Sequence, residues 1–453
     1  MMDAITPPLP LRPPVPAPPE TDLSFRGFLR AVRTNALTIF PRAAFEQDYV
    51  VRSLLGRKNI IISAPDAIHH ILVGNPGNFR RSPASIRILR PLTGEGLLLS
   101  EGDSWKFQRR VIAPALAPRV MPMLSQHIVA STNRAIDSLA AETKPIDLLT
   151  TMQNLALDIA SRSMFSLEMD RDGPILRNYM LEFSQRHSHP SLLDMVLPTW
   201  IMSPNDFGRH RFRRRWMGFI ETILRGRLAQ PPPQTPRDLF DLLRAARDPE
   251  TGAAFTPSQL RDQVATLILA GHQTTAVTLF WAIIMLAQAE DEQAWLAQEV
   301  AGVTITPEAV PQLIRTRAVA NETLRLFPAA YVIARETIRR EHVAGIDLTP
   351  GSLALIAPWV LHRHRRLWDD PAAFLPARFM PDQPPPGRFA FMPFGAGPRV
   401  CVGAQFALAE AILVLAAIIG RFRVTRVDTT PVLPIGIVTT QPAHRAQVRL
   451  TPR

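Results

Sequence analysis

Hydrophobic and polar residues change rhythm several times along this chain, and the changes mark its elements. From Phe25 to Leu99, short apolar runs such as Asn59-Ile60-Ile61-Ile62 alternate with turn residues, which predicts β-hairpin material and short helices. From Trp105 to Leu286 the period is mostly helical, interrupted at Pro190, Pro198, Pro204 and the cluster Pro231 to Pro236. Strand-rich zones follow from Tyr331 to Ala357 and from Phe422 to Leu450. The stretch Val264 to Leu286 is long and apolar enough for a membrane span. Its centre carries His272, Gln273, Thr274 and Thr275, which are costly in lipid, so a buried core helix is the better expectation. No internal repeat is visible. The pattern predicts a mainly α fold with small β-sheets, one domain over residues 21–453, and a disordered proline-rich tail over residues 1–20.

Composition narrows the function classes. At 453 residues, 46% hydrophobic and 20% charged, the chain can bury a large core. Its 51 lysines and arginines exceed 39 acids, a formal charge of +12, with lysine only at Lys58, Lys106 and Lys144. A basic balance fits an acidic protein, acidic lipid or nucleic acid. Nucleic acid is the weakest of these, because no zinc-finger spacing, RNA-recognition signature or basic heptad helix is present. No apolar signal segment lies before Glu20, so a soluble, cytoplasmic protein with no membrane span is expected. The single cysteine, Cys401, excludes an intrachain disulfide.

That cysteine lies in Phe394-Gly395-Ala396-Gly397-Pro398-Arg399-Val400-Cys401-Val402-Gly403, directly before an apolar helical run. Glycines let the backbone fold closely around a bulky group, and a helix N-terminus favours the thiolate, the form that binds iron. Such a loop suits an anionic sulfur ligand held against a large flat cofactor. The alternative is a buried cysteine acting as a small hydrophobe. Phe394, Gly397, Arg399, Cys401 and Gly403 reproduce the haem-binding signature Phe-x-x-Gly-x-Arg-x-Cys-x-Gly, and the chain thereby resembles the cytochrome P450 family.

Other segments match that resemblance in order, from about Leu97 to Gly403. In the long apolar helix, Leu267, Ala270, Gly271 and Thr274 share one face, small residues leave room, and Thr274 offers a hydroxyl. The resemblance makes this the oxygen-binding groove, with Thr274 on the threonine that hydrogen-bonds bound dioxygen. Gln273 departs from the family's usual acid. A back-bond from Thr274 to its own helix is the plainer alternative. Glu322 and Arg325 are three apart on a helix; with Arg378 they resemble the family's Glu-x-x-Arg pair and its later arginine, and would hold the cysteine segment. Ala377 replaces the glutamate often found beside that arginine. Trp105 and Arg109 fall on one helix face; the resemblance sets Trp105, Arg109 and Arg399 at the haem propionates, with Arg335 as a fourth contact. Two further clusters, His362 to Arg366 and Arg209 to Arg215, read as surface, the second as a solvated helix face with acidic membrane contact as an alternative.

The resemblance implies a single cytochrome P450-like domain enclosing haem b between a long central helix and the cysteine loop, with Cys401 thiolate as the iron ligand. The implied activity is insertion of one oxygen atom from O2 into an apolar organic substrate, a fatty acid, terpenoid or polyketide-like molecule. Electrons would come from a ferredoxin or flavodoxin with its reductase, meeting Lys106, Arg110 and Arg388. Ile86, Ile88, Leu98, Val332, Ile333, Ile435 and Ile437 are the expected pocket walls. The alternatives are a haem-thiolate peroxygenase or peroxide isomerase, and a non-enzymatic haem sensor.

Overall fold

The computed structural model describes residues 10–54, 56–166 and 169–453. At its centre runs the helix Pro257–Leu286. Thr256 and Gln259 close its N-terminus as a capping box, and Pro257 takes the first helical position, where its missing N–H is harmless. The helix is apolar on almost every face because almost every face is covered. Helices Leu148–Phe165, Ala404–Arg421, Ile314–Leu326, Pro83–Thr93 and Pro204–Leu228 all pack against it. Each fully buried Leu or Phe side chain contributes roughly 1.5–3 kcal/mol. Near the C-terminal end, Trp281 stacks on Phe327 with ring centroids 4.1 Å apart, and its indole N–H donates to the Thr440 carbonyl at 2.9 Å. The helices Pro257–Leu286 and Ala404–Arg421 are each long and apolar enough to cross a membrane, yet 78% and 67% of their apolar windows are buried inside the protein.

The main sheet has five strands, in the spatial order Tyr49–Leu54, Arg57–Ile62, Leu353–Ile356, Ile333–Thr337 and Phe79–Arg81. Neighbours are antiparallel except Arg57–Ile62 with Leu353–Ile356. The register of the last pair puts Arg81 directly opposite Arg335. A three-stranded sheet joins Ile146–Asp147, Gln447–Pro452 and Phe422–Arg426.

Several expectations change here. Residues 1–9 of the expected free tail lie outside the described residues. From Pro10 the chain is tied down: the Phe374 N–H donates to the Leu11 carbonyl at 2.8 Å, and Arg12 pairs with Asp370 at 2.9 Å. Proline's fixed φ leaves little freedom to lose when such a segment docks. Pro204 begins the helix Pro204–Leu228 rather than interrupting one. The His362 to Arg366 cluster is not surface at its start, since His362, Arg363 and His364 are buried. Burial holds His362 neutral, its pKa pushed down to about 3, and its Nε2 accepts from the Met392 N–H at 3.0 Å. Arg209, read as solvated, is buried with two aspartates.

Candidate functional site

The loop before the helix Ala404–Arg421 is wound by its own backbone. Gly395 N–H donates to the Met392 carbonyl at 3.0 Å, Val400 N–H to Gly397 at 3.0 Å, and Cys401 N–H to Phe394 at 2.9 Å. Gly395 and Gly397 have φ near +75° and +73°. At Gly397 a Cβ would stand 2.0 Å from the Leu72 carbonyl oxygen, so both conformation and space require glycine. Gly403 caps the following helix with open space where a Cβ would stand.

Cys401 lies two residues before that cap and is accessible to solvent. The helix terminus does favour the thiolate, through the Gly403 N–H, but it does not decide the balance. Desolvation by surrounding protein pushes the thiol up, while the Gly403 N–H and the Arg109 charge pull it down less strongly. The thiolate therefore needs a further positive partner, which a metal centre supplies.

A cationic cluster stands beside this loop. Arg399 donates to the Ser100 carbonyl at 3.0 Å, pairs with Glu101, and lies over the Trp105 ring at 4.5 Å. Arg109 donates to the Val400 carbonyl at 2.8 Å. Arg335 comes from the main sheet with its charge near Arg399. Sequence reasoning missed a further member, Arg81, whose buried Nε has no hydrogen-bond partner. Burial first, and then Arg335 and Arg399, push its pKa down to about 9; Arg335 falls to about 10 through burial and Arg399. Strand alternation held the clue. Phe79 is buried and Arg80 exposed, so Arg81 returns to the inner side with Phe79. Like charges directly opposite on neighbouring strands are unfavourable. Arg81, Arg335 and Arg399 face one carboxylate, Glu101, which leaves two positive charges uncompensated. Arg109 adds a further positive charge beside the thiol; a haem presents two propionates, so the cluster and the thiol fit that group in sign.

On the central helix, Ala270 is exposed and Gly271, Gln273 and Thr274 are half-buried, an open stretch on an otherwise covered rod. The four do not share one job. A Cβ on Gly271 would meet Met164 Cε at 2.7 Å, so this glycine permits close packing on the helix Leu148–Phe165 rather than making room above the groove. Thr274 adopts the back-bond, its hydroxyl donating to the Ala270 carbonyl at 2.6 Å. Its oxygen lone pairs stay available as acceptors.

The expected charged triad does assemble. Arg325 is fully buried, grips Glu322 through two bonds of 2.7 Å, and donates to the carbonyls of His362, Pro371 and Ala373 at 2.7–2.8 Å. Glu322 also accepts from the Leu375 N–H at 2.8 Å and stands 3.4 Å from Arg378 Nε. One ion pair thus fixes the chain between Ile314–Leu326 and the segment leading to the cysteine loop.

Glu410 is a second residue the sequence reading missed. It is fully buried on Ala404–Arg421 with neither carboxyl oxygen hydrogen-bonded, and burial pushes its pKa well above the ordinary 4.5, against a weaker pull from Thr275. Below pH 4.5 both folded and unfolded chains hold this proton; above it only the unfolded chain releases it, so stability falls as pH rises. Glu410→Gln is expected to raise the melting temperature at pH 8 and to change it little at pH 4, read by calorimetry. An equal shift at both pH values would show that the carboxyl does not titrate this way.

The seven expected pocket residues are all half-buried. Ile86 and Ile88 lie on the helix Pro83–Thr93, Ile333 on the strand Ile333–Thr337, and Ile435 on the strand Pro434–Gly436. Leu98, Val332 and Ile437 sit in adjoining loops. The basic residues expected to meet an electron donor are less free than the sequence implied. Arg110 is held by Asp248 at 2.7 Å and Glu250 at 3.0 Å, and Lys106 by Asp103 at 3.0 Å. Arg388 has no ion pair among the described residues and lies over Phe389.

The fold and this thiol-and-arginine constellation define a haem-thiolate protein. The family model for cytochrome P450 matches residues 18–448, and the chain belongs to that family, as an oxidoreductase of the monooxygenase type. It is 30% identical over 353 residues to cyclooctatin synthase of Streptomyces melanosporofaciens, covering 76% of each chain. It is also 30% identical to cyclooctat-9-en-7-ol 5-monooxygenase of the same organism, over 81% of this chain and 80% of the relative. Among solved structures, the cytochrome P450DA heme domain superposes with a TM-score of 0.82 at 22% identity, covering 98% of this chain and 99% of that one. The architecture is therefore the P450 fold, mainly α with small sheets, with the long central helix and the cysteine loop as the two sides that would hold the cofactor.

Proposed function

We propose that this protein inserts one oxygen atom from O2 into an apolar terpenoid-class substrate, using electrons from a separate ferredoxin or flavodoxin system. The observation that carries the reading is the Cys401 thiol beside four arginines, Arg81, Arg109, Arg335 and Arg399, which face a single carboxylate, Glu101. Relatives named for cyclooctatin and cyclooctat-9-en-7-ol support an alicyclic substrate over a fatty acid or polyketide-like one. Cys401 would hold the haem iron, Arg81, Arg335, Arg399 and Arg109 its propionates, with Trp105 stacked on Arg399. When bound, that group supplies the redox centre at which dioxygen is activated. Phe394, Gly395 and Gly403 shape the loop around it. The half-buried aliphatic side chains exclude water and orient substrate through its shape, without charges that would demand a polar partner.

Thr274 and Gln273 handle protons. Thr274, back-bonded to Ala270, can accept from a water and, after rotating about χ1, donate to oxygen in the groove. Gln273 can orient that water but cannot release a proton near neutral pH. Thr274→Ala is expected to divert reducing equivalents into hydrogen peroxide, while Gln273→Glu keeps or improves the share reaching product. Product per reducing equivalent, with peroxide assayed in parallel, checks this. An unchanged ratio in Thr274→Ala would favour the peroxide-using reading. The substrate class is tested by titrating terpenoid alcohols, fatty acids and polyketide-like compounds for a blue shift of the Soret band. A shift with the fatty acids alone would overturn the terpenoid assignment.

A further inference from the structure

The chain from Thr93 to Ser100 is bound to the central helix Pro257–Leu286 by polar side chains that the oxidation itself does not use. Asp262 accepts from the Glu95 N–H at 2.9 Å, Gln263 accepts from the Leu97 N–H at 3.0 Å, and the Thr266 hydroxyl donates to the Thr93 carbonyl at 3.2 Å. A Cβ on Gly96 would stand 2.1 Å from Thr266 Oγ1 and 2.6 Å from the Asp262 carbonyl oxygen, so only glycine lets the two backbones approach this closely.

Gln263 holds more than its neighbours do. It is fully buried, and its Nε2 donates to Gln108 Oε1 at 2.8 Å. Gln108, buried as well, donates to the Glu95 carbonyl at 3.0 Å and accepts from the Ser100 hydroxyl at 3.2 Å. Residues 95, 97 and 100 are therefore fixed by one connected network whose members satisfy one another. Inside that span stand Leu97 and Leu98, both half-buried. Gln263, Leu267, Ala270 and Thr274 follow at i, i+4, i+7 and i+11 on one side of the helix. The bound segment thus meets the helix roughly 10 Å along its axis before the open stretch at Ala270.

We propose that Gln263 is a positioning residue for substrate selection: it binds the Leu97–Leu98 backbone to the central helix, making Leu98 a wall that does not yield, so that ligands are sorted by shape. Loop residues ordinarily give way to what presses on them. Here the backbone would have to leave two buried amides unsatisfied to do so, which is strongly opposed. The proposal rests on the haem-thiolate reading and on Leu98 as a pocket wall, and is independent of which substrate class the enzyme takes.

The test uses Gln263→Met holoprotein, which keeps the side chain's length and removes its polar atoms. The Leu97 amide is expected to exchange its hydrogen roughly tenfold faster than in wild type. Imidazole, 1-phenylimidazole and clotrimazole are then titrated, each read by the red shift of the Soret band as its nitrogen meets the iron. Imidazole is too small to press on the wall, so its affinity is expected to match wild type. The affinity for clotrimazole relative to 1-phenylimidazole is expected to rise by roughly tenfold, because a yielding wall admits the wider ligand. Leu98→Ala is expected to shift that ratio in the same direction, and the double variant less than the two single effects combined, since both act through one wall. Unchanged exchange at Leu97 would overturn the proposal, and so would faster exchange with an unchanged azole ratio. Parallel weakening of all three azoles would mark Gln263 as a general support of the fold and overturn it too. Should Gln263→Met lose its haem, Gln263→Asn, polar but one methylene shorter, takes its place in the same measurements. A wild-type protein giving no azole spectrum would overturn the haem assignment itself, a failure distinct from an azole ratio that does not move.

Discussion

Replacing Cys401 with histidine is expected to leave a haem protein whose ferrous–CO complex lacks the strongly red-shifted Soret band of thiolate ligation, and to remove nearly all monooxygenation. The substitution is well posed, because Cys401 is accessible to solvent while its backbone N–H keeps the loop closed on Phe394. The anionic sulfur pushes electron density towards the metal, and a neutral imidazole pushes far less. Carbon monoxide difference spectra, with product assayed on the same preparation, check both halves. A Cys401→His protein that kept the red-shifted band and full turnover would sink the assignment of this residue as the ligand.

The second large effect is expected at Glu322. Its carboxylate answers Arg325, the Leu375 N–H and Arg378 together, and it is fully buried. Breaking a buried pair from one side costs about 3–5 kcal/mol, because the remaining charge stays desolvated. In Glu322→Ala, Arg325 keeps three backbone carbonyls but loses its only counter-charge in the triad, and the Leu375 N–H loses its acceptor. The expected result is a lower melting temperature and poor haem retention, since the segment beyond Leu375 leads into the cysteine loop. Thermal melts and the haem-to-protein absorbance ratio read these separately. Wild-type values for both would show that the triad does not support the loop.

The sequence carried the site where spacing alone fixes contact. Glu322 with Arg325 and Trp105 with Arg109 are helix neighbours whatever the tertiary fold, and the cysteine loop is local throughout. Long-range neighbours were harder to read. Arg81 meets Arg335 only through a strand register between positions 254 apart in the chain. Gly271 looked like space for a ligand, because a lone sequence cannot show Met164 pressing against it. Charge clusters were read as solvated by default, and Arg209, His362 and Arg363 proved buried once their partners were known. The helical and strand zones were legible from periodicity, but the order of strands in the main sheet was not, because its neighbours include strands far apart in the chain.

The arginine cluster at the end of the main sheet has a consequence for how the protein matures. Arg81 on the edge strand faces Arg335 on the strand next to it, with Arg399 close by and, among the described residues, only Glu101 in opposition. A newly made chain must close this corner against its own repulsion, and a dianionic guest relieves it, so cofactor capture and completion of the fold are one coupled event. Chains synthesised when haem is scarce would therefore carry a weak corner just where the sheet meets the cysteine loop. Local opening there exposes backbone to proteases in proportion to its population. Cellular abundance of this protein would then follow haem supply through turnover of the empty form, with no dedicated regulator required.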